Sequence, residues 1–210
     1  MTSRTALRRN AAHRREVLAA ARKAKARREH RRTLVITGAV VAVLVVVVAV
    51  MMATSRSTSS AATRAAPDFT LTNTAGQQVH LADYRGKSNV VLYFSEGAGC
   101  GACIQQMGLI EKDKAAFDNA NVTVLPIVMN SPADIMRDMG NYGVQTPFLL
   151  DDGKVSTAYK TIGHGMHAGL PGHSFVLIDK SGIQRWYGEY PSMYLSPSDL
   201  LKQIDKHLTA

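Results

Sequence analysis

Cysteine is scarce in this chain: its 210 residues include only two, Cys100 and Cys103. Two residues separate them, so a disulfide between them would close a very small ring and remove little conformational entropy from the unfolded chain. A purely structural staple is therefore disfavoured. Two other interpretations remain at this stage, a redox-active pair and part of a metal site.

Most of the chain has no excess of positive charge. The net charge of +9 comes from a short basic region at the start of the sequence. Residues 1–33 contain twelve Lys and Arg and two acids, whereas residues 67–210 contain eleven Lys and Arg and fourteen acids. The later region is mildly acidic, and the basic tail has no aromatic residue to support base recognition. We therefore expect no nucleic-acid partner.

Charge is also absent from residues 34–53, a run of twenty apolar or small residues. At about 1.5 Å per residue, a helix of this length spans the hydrocarbon core of a bilayer. We predict a single transmembrane helix of the signal-anchor type, with membrane lipid as its partner. The basic residues 1–33 place the N-terminus in the cytoplasm, and the rest of the chain then lies outside the cell membrane, where disulfides persist. A cleaved signal, or twin-arginine export through Arg31 and Arg32, remains the alternative.

Residues 54–66 are small and polar without apolar periodicity, which predicts a flexible linker. Residues 67–210 then alternate between strand and helix patterns, which predicts an α/β domain. A β-hairpin comes first, a strand buried on both faces covers 90–94, and a second hairpin and an amphipathic helix close the chain. Cys100 and Cys103 follow the buried strand and begin the next helix, an arrangement typical of redox pairs.

Three sequence blocks resemble the thioredoxin-like superfamily, and most closely its membrane-tethered and peroxiredoxin-related (alkyl hydroperoxide reductase/thiol-specific antioxidant) branches. They are APDFTLTNTAGQQVHLADYRGKSNVVLYF, then CGAC, then GHSFVLIDKSGIQRWYGEY. The resemblance implies a mixed central sheet flanked by helices, preceded here by a hairpin, with thiol-dependent oxidoreductase activity.

Four positions depart from that family pattern. Gly99 stands where reductases often carry Trp, and Glu96 and Gly97 stand where peroxiredoxins carry Pro and Thr or Ser. The usual peroxide-binding pattern is therefore absent. His173 precedes the strand that faces the cysteines, where tethered thioredoxins usually have a cis proline.

The chemistry of the pair follows from its place on the helix. Residues i and i+3 share a helix face, so the two sulfurs can form a disulfide. Cys100 is expected at the helix N-terminus, where free N–H groups and the helix dipole stabilise a thiolate. We predict that Cys100 is the attacking thiolate and that Cys103 resolves the mixed disulfide. An imidazolium at His173 is a candidate stabiliser of the thiolate, and Glu96 is a candidate proton acceptor for Cys103.

The histidine-rich loop offers a second chemistry. His164, Met166 and His167 are weak metal-ligand candidates that, with the two cysteines, would suit Cu(I). The alternative is that these side chains are simply solvated in a glycine-rich loop. No cofactor other than the redox-active disulfide is expected on the first interpretation.

These observations favour a membrane-anchored, extracytoplasmic thiol–disulfide oxidoreductase that exchanges with partner proteins carrying thiols or disulfides. A peroxiredoxin-like thiol peroxidase with antioxidant activity, acting on a peroxide through a sulfenic acid at Cys100, is the first alternative. A copper-binding or copper-delivery protein is the second. The sequence does not choose between reduction and oxidation of the partner.

Overall fold

The computed structural model describes residues 31–49 and 58–209, which fall into two units divided between Thr54 and Ser55. The first unit contains helix α1, Arg31–Ala49, which is long and apolar enough to cross a membrane. The helix is consistent with the predicted anchor, and a signal sequence near an N-terminus can meet the same criterion of length and composition. The basic tail up to residue 30 and residues 50–57 lie outside the described residues.

The second unit is built on one eight-stranded sheet. Its strands are β1 (Thr58–Ala65), β2 (Thr70–Asn73), β3 (Gln78–His80), β4 (Asn89–Phe94), β5 (Val122–Val128), β6 (Leu149–Leu150), β7 (Ser174–Ile178) and β8 (Ile183–Glu189). Its α-helices are α2 (Gly101–Lys112), α3 (Lys114–Asn119), α4 (Pro132–Tyr142), α5 (Lys154–Ala158) and α6 (Pro197–Leu208), and a 3₁₀ turn covers Leu81–Tyr84.

The strand order is β1-β8-β7-β4-β5-β6-β2-β3, which places β4 near the middle of the sheet. Strand β4 runs parallel to β5 and antiparallel to β7, and β5 runs parallel to β6. The hairpins β2–β3 and β7–β8 add antiparallel pairs. The predicted mixed sheet with flanking helices and a leading hairpin is thereby confirmed.

Strand β4 is buried on both faces, as its continuous apolar run predicts. Val91 and Tyr93 point into one core cluster, which also contains residues of α2, α4 and α6. Val90, Leu92 and Phe94 point into the other, on the opposite face of the sheet. This alternation follows from the two-residue period of a strand, and it fixes the end of β4 as a rigid base for the cysteines that follow.

Two helix starts are set by local sequence. The hydroxyl of Ser131 accepts a hydrogen bond from Asp134 N at 3.2 Å, and that of Ser196 accepts one from Asp199 N at 3.1 Å. In each case proline occupies the first helical turn, where its missing N–H costs nothing. Both helices therefore begin at a Ser-Pro-x-Asp sequence, whose residues supply the capping hydroxyl and the first turn.

The flexible linker predicted over residues 54–66 does not hold for residues 58–65, which form β1. This strand pairs antiparallel with the edge of β8, and Ser59 Oγ accepts a 2.6 Å hydrogen bond from the indole of buried Trp186. Residues 58–60 and 63–65 are exposed, and the strand sequence TSSAATRA has no alternation of hydrophobic and polar residues of the kind that predicts a strand. The strand is held by backbone hydrogen bonds to β8, which a pattern of side chains in the sequence does not report.

Candidate active site

The two cysteines lie where β4 gives way to α2. Cys100 is the N-cap residue of α2, and Cys103 lies within its first turn. Their sulfurs are joined in a disulfide, with the Cα atoms 5.3 Å apart. The pairing expected from an i, i+3 spacing is therefore present in the structure.

The surroundings of the two sulfurs differ. Sγ of Cys100 accepts a hydrogen bond from Cys103 N at 3.3 Å, as a capping side chain does at a helix N-terminus. In the reduced protein the same N–H and the helix dipole would stabilise a thiolate at Cys100. Cys100 is 8% exposed and Cys103 is 0% exposed. Cys100 is thus the more accessible of the two, as the attacking role predicted for it requires.

Two side chains hold the loop that leads into Cys100. The amide of Ala98 donates to Asn130 Oδ1 at 2.9 Å, and that of Gly99 donates to Asp138 Oδ2 at 2.8 Å. Gly97 has a φ of +72°, and a Cβ there would overlap Asn130. This close packing explains why glycine replaces the Thr or Ser of the peroxiredoxin pattern at position 97.

The residue after Cys100 is also restricted. A Cβ on Gly101 would overlap the hydroxyl and ring of Tyr142, the last residue of α4. Tyr142 is half exposed, so its aromatic ring forms part of the surface beside the disulfide. The first of the two residues between the cysteines is thus small because α4 occupies the space above it.

His173 lies directly before β7 and is 1% exposed. Its Nδ1 is 3.2 Å from the hydroxyl of Tyr93, and that hydroxyl donates to the carbonyl oxygen of Cys103 at 3.0 Å. No peptide bond in residues 31–49 and 58–209 is cis, so His173 takes the place of the expected proline in an ordinary trans chain. Burial lowers the pKa of His173 to about 4, which disfavours the imidazolium expected from the sequence.

Glu96 is also buried, at 2% exposure, but its carboxylate faces the histidine-rich loop. Oε1 accepts from His167 N at 3.1 Å, and Oε2 lies 2.8 Å from His167 Nδ1. A second histidine of the same loop, His164, pairs with Glu189 at 3.0 Å. Each histidine therefore anchors the loop to a separate carboxylate on the body of the domain.

The metal candidates are not brought together. Among the described residues no group of three or more His, Cys, Asp or Glu side chains is arranged to hold a metal ion. Met166 is 74% exposed, and both histidines already pair with carboxylates. A copper site would therefore require this loop to rearrange.

Sequence reasoning missed four residues that surround the cysteines: Tyr93, Asn130, Asp138 and Tyr142. Tyr93 had a usable signal, since it is a hydroxyl inside an otherwise apolar strand and must find a polar partner. Asn130 lies in the connection between β5 and α4, and Asp138 and Tyr142 lie on α4. All three are more than thirty residues after the loop that they contact. No local pattern marks such long-range contacts.

A cysteine pair that caps the helix after the central strand of this mixed sheet defines a thioredoxin-like, thiol-dependent oxidoreductase. Residues 62–187 match the AhpC/TSA family, and the chain belongs to that family.

Proteins from other organisms resemble this chain in sequence. Alkyl hydroperoxide reductase E of Mycobacterium tuberculosis is 32% identical over 124 residues, which cover 58% of this chain and 80% of that protein. Thiol-disulfide oxidoreductase ResA of Geobacillus kaustophilus is 28% identical over 119 residues, covering 56% and 63%.

Solved structures share the fold. The reduced 2-Cys peroxiredoxin of Plasmodium vivax superposes with a TM-score of 0.61 at 22% identity, covering 71% of this chain and 98% of that one. A putative protein disulfide isomerase from Bacteroides thetaiotaomicron gives 0.54 at 29% identity, covering 72% and 95%. The family match, the alkyl hydroperoxide reductase and the thiol-disulfide oxidoreductase together confirm the thiol-dependent oxidoreductase class predicted from the sequence.

Proposed function

We propose that this protein is a membrane-anchored thiol–disulfide oxidoreductase whose catalytic domain lies outside the cytoplasm. The observation that carries the proposal is the Cys100–Cys103 disulfide at the start of α2, in which Cys100 is slightly exposed and Cys103 is fully buried. The resemblance to a thiol-disulfide oxidoreductase and a putative protein disulfide isomerase supports exchange with partner proteins.

The reaction follows from the geometry of the pair. In the reducing direction the Cys100 thiolate attacks a partner disulfide, which forms a mixed disulfide and releases one partner thiolate. Cys103 then loses its proton and attacks Sγ of Cys100. The Cys100–Cys103 bond forms, the second partner sulfur leaves as a thiol, and two electrons have passed to the partner. The oxidising direction is the reverse of these steps.

A second candidate is a thiol peroxidase, favoured by the 32% identity to an alkyl hydroperoxide reductase. Cys100 would attack a peroxide oxygen to give a sulfenic acid and an alcohol or water, and Cys103 would condense with it, releasing water. Against this candidate, the loop before Cys100 contains Glu96-Gly97-Ala98-Gly99, and its backbone amides at 98 and 99 are already bonded to Asn130 and Asp138.

Two assays on the full chain in detergent separate these candidates. One measures reduction of insulin disulfides by dithiothreitol, and the other measures consumption of hydrogen peroxide and cumene hydroperoxide. We expect insulin reduction to be lost in Cys100→Ser and Cys103→Ser. Ala102→Ser is the matched control, since it adds the same hydroxyl at an exposed position of the same motif and keeps both sulfurs.

The outcomes are distinct. Insulin reduction that persists without Cys100 refutes the exchange reaction. Peroxide consumption that depends on Cys100 and exceeds insulin reduction in rate selects the peroxidase instead.

Membrane location is testable because the chain has no other thiol. After mild reduction of intact cells, a membrane-impermeant maleimide should label the wild-type chain and leave a Cys100→Ser/Cys103→Ser chain unlabelled. Labelling that appears only after the membrane is permeabilised would place the domain in the cytoplasm and contradict this part of the proposal. Extraction by carbonate at high pH would contradict the anchor.

A further inference from the structure

Three polar groups meet in the buried region behind the disulfide. The hydroxyl of Tyr93 on β4 lies 3.0 Å from the carbonyl oxygen of Cys103 and 3.2 Å from Nδ1 of His173. Tyr93, Cys103 and His173 are all at most 1% exposed. The imidazole is fixed further by Phe175, whose ring centre lies 5.6 Å away in an edge-on arrangement.

The Tyr93 hydroxyl has one proton and two polar neighbours, and this indicates which nitrogen of His173 carries the imidazole proton. A phenol has one proton, and a carbonyl oxygen can only accept, so the proton of Tyr93 points to Cys103. The hydroxyl oxygen is then the acceptor for His173, and Nδ1 must carry the imidazole proton. Nε2 is left as a bare lone pair, and no partner for it exists among the described residues.

A buried acceptor without a donor is destabilising, so this arrangement calls for an explanation. The disulfide is the oxidised state. Reduction creates one new donor in the fully buried part of the site, the thiol of Cys103, whose proton must leave before its sulfur can attack Cys100. Cys103 is also the residue whose backbone carbonyl binds Tyr93.

Resting on the thiol–disulfide exchange proposed above, we infer that Nε2 of His173 is the acceptor for the Cys103 thiol proton and that Tyr93 is the positioning residue that keeps Nε2 free. In the resolving step the S–H bond of Cys103 breaks and its proton passes to Nε2. The sulfur then bonds to Sγ of Cys100, and the partner thiolate leaves with the electron pair of the broken mixed disulfide. The imidazolium returns its proton to the partner thiolate or to water.

The electrostatic setting is consistent with a neutral acceptor. Burial is the only cause that shifts the pKa of His173, and it lowers it to about 4 in the oxidised protein. The neighbouring titratable groups are Tyr93 from β4, Cys103 from α2 and Tyr190 after β8, whose amide binds the carbonyl of His173. A developing thiolate at Cys103 raises the pKa of the imidazole as the proton moves, because the opposite charges then stabilise each other.

The experiment follows one turnover of the reduced full chain in detergent with dithiobis(nitrobenzoate). The first coloured thiolate is released when Cys100 attacks, and the second is released when Cys103 resolves the mixed disulfide. Removal of a general base typically slows a step by 10²- to 10⁴-fold. We expect His173→Phe to slow the second phase by at least about tenfold and to leave the first phase within about twofold. The rate of the second phase in His173→Phe should then rise with pH, because hydroxide takes over proton removal from the imidazole.

Two further variants test the tautomer and exclude a merely structural effect. Tyr93→Phe removes only the hydroxyl, frees Nδ1 to become the bare nitrogen and should slow the second phase with the same change in pH profile. His207→Phe is the matched control, because its Nε2 is also buried and unpartnered but its ring stacks on Trp186 instead. It should change neither phase.

The possible results separate this inference from the proposed function. A wild-type chain that shows no second phase dependent on Cys103 refutes the exchange reaction itself. A normal second phase in both His173→Phe and Tyr93→Phe overturns only the role of His173. An equal slowing of both phases, with an unchanged pH profile, also overturns it, because that pattern indicates a general disturbance of the site. If His173→Phe fails to fold, Tyr93→Phe decides the question alone.

Discussion

Substitution of Gly97 by alanine tests whether close packing positions the loop before Cys100. Gly97 has a φ of +72°, which costs an L-residue about 1 kcal/mol. The new methyl group would also overlap Asn130 Oδ1 and Val128 Cγ1. If Asn130 moves, its hydrogen bond to Ala98 is lost, which adds about 0.5–1.5 kcal/mol. The backbone strain, the lost hydrogen bond and the steric overlap should together lower the free energy of unfolding by about 2–4 kcal/mol.

Gly86 provides the control, because its φ is also +72° and a Cβ there meets nothing within 4 Å. Gly86→Ala should therefore lose only the conformational part, about 1 kcal/mol. Urea unfolding of both variants of the full chain gives the two free energies. Equal losses would refute the argument that contact with Asn130 is what requires glycine at position 97. The rate of Cys100 alkylation, measured beside stability, should fall in Gly97→Ala and stay unchanged in Gly86→Ala.

Two other predictions concern charges. Asp138→Asn keeps an acceptor for the amide of Gly99 but removes a negative charge from the loop beside Cys100, so the thiolate of reduced Cys100 should be stabilised and should react faster with iodoacetamide at neutral pH. Asp134→Asn on the same helix is the control, and an unchanged alkylation rate in Asp138→Asn would contradict this prediction. The second prediction concerns Glu111. Burial raises the pKa of its carboxyl, but hydrogen bonds from the amides of Thr146 and Gln145 and from the Thr146 hydroxyl have the larger effect, so the pKa lies below its usual 4.5. The stabilisation of the folded state is thus present above pH 4.5, and it is lost as the pH falls through the lower pKa that Glu111 has in the folded protein. Glu111→Gln should flatten the dependence of the urea midpoint on pH in that acid range, and a wild-type slope in Glu111→Gln would contradict this.

Local signals in the sequence predicted much of this fold correctly. The Ser-Pro helix starts are encoded within four residues, and the continuous apolar run of β4 reports burial on both faces. The mixed sheet and the cysteine pair at a strand-to-helix junction follow from such elements and their order. Strand β1 was missed because its stability comes from pairing with β8, more than a hundred residues away.

The environment of the cysteines was less accessible than the cysteines themselves. His173 was placed near the pair from the sequence, but its charge state depends on burial and its tautomer on Tyr93, neither of which a linear pattern reports. Glu96 was expected to serve Cys103, whereas the structure shows both of its carboxylate oxygens bonded to His167, seventy-one residues later. Proton acceptance by Glu96 stays a prediction.

The complete burial of Cys103 has a consequence for the timing of the proposed exchange. Since Cys103 is fully buried and Cys100 is slightly exposed, a partner would attack or be attacked at Cys100, and its concentration would set how often a covalent complex begins. The complex ends when a sulfur held one helical turn away attacks, and that step has a fixed local concentration independent of the partner. In the proposed exchange, an abundant partner would therefore be engaged more often, but the lifetime of its mixed disulfide would not depend on its concentration.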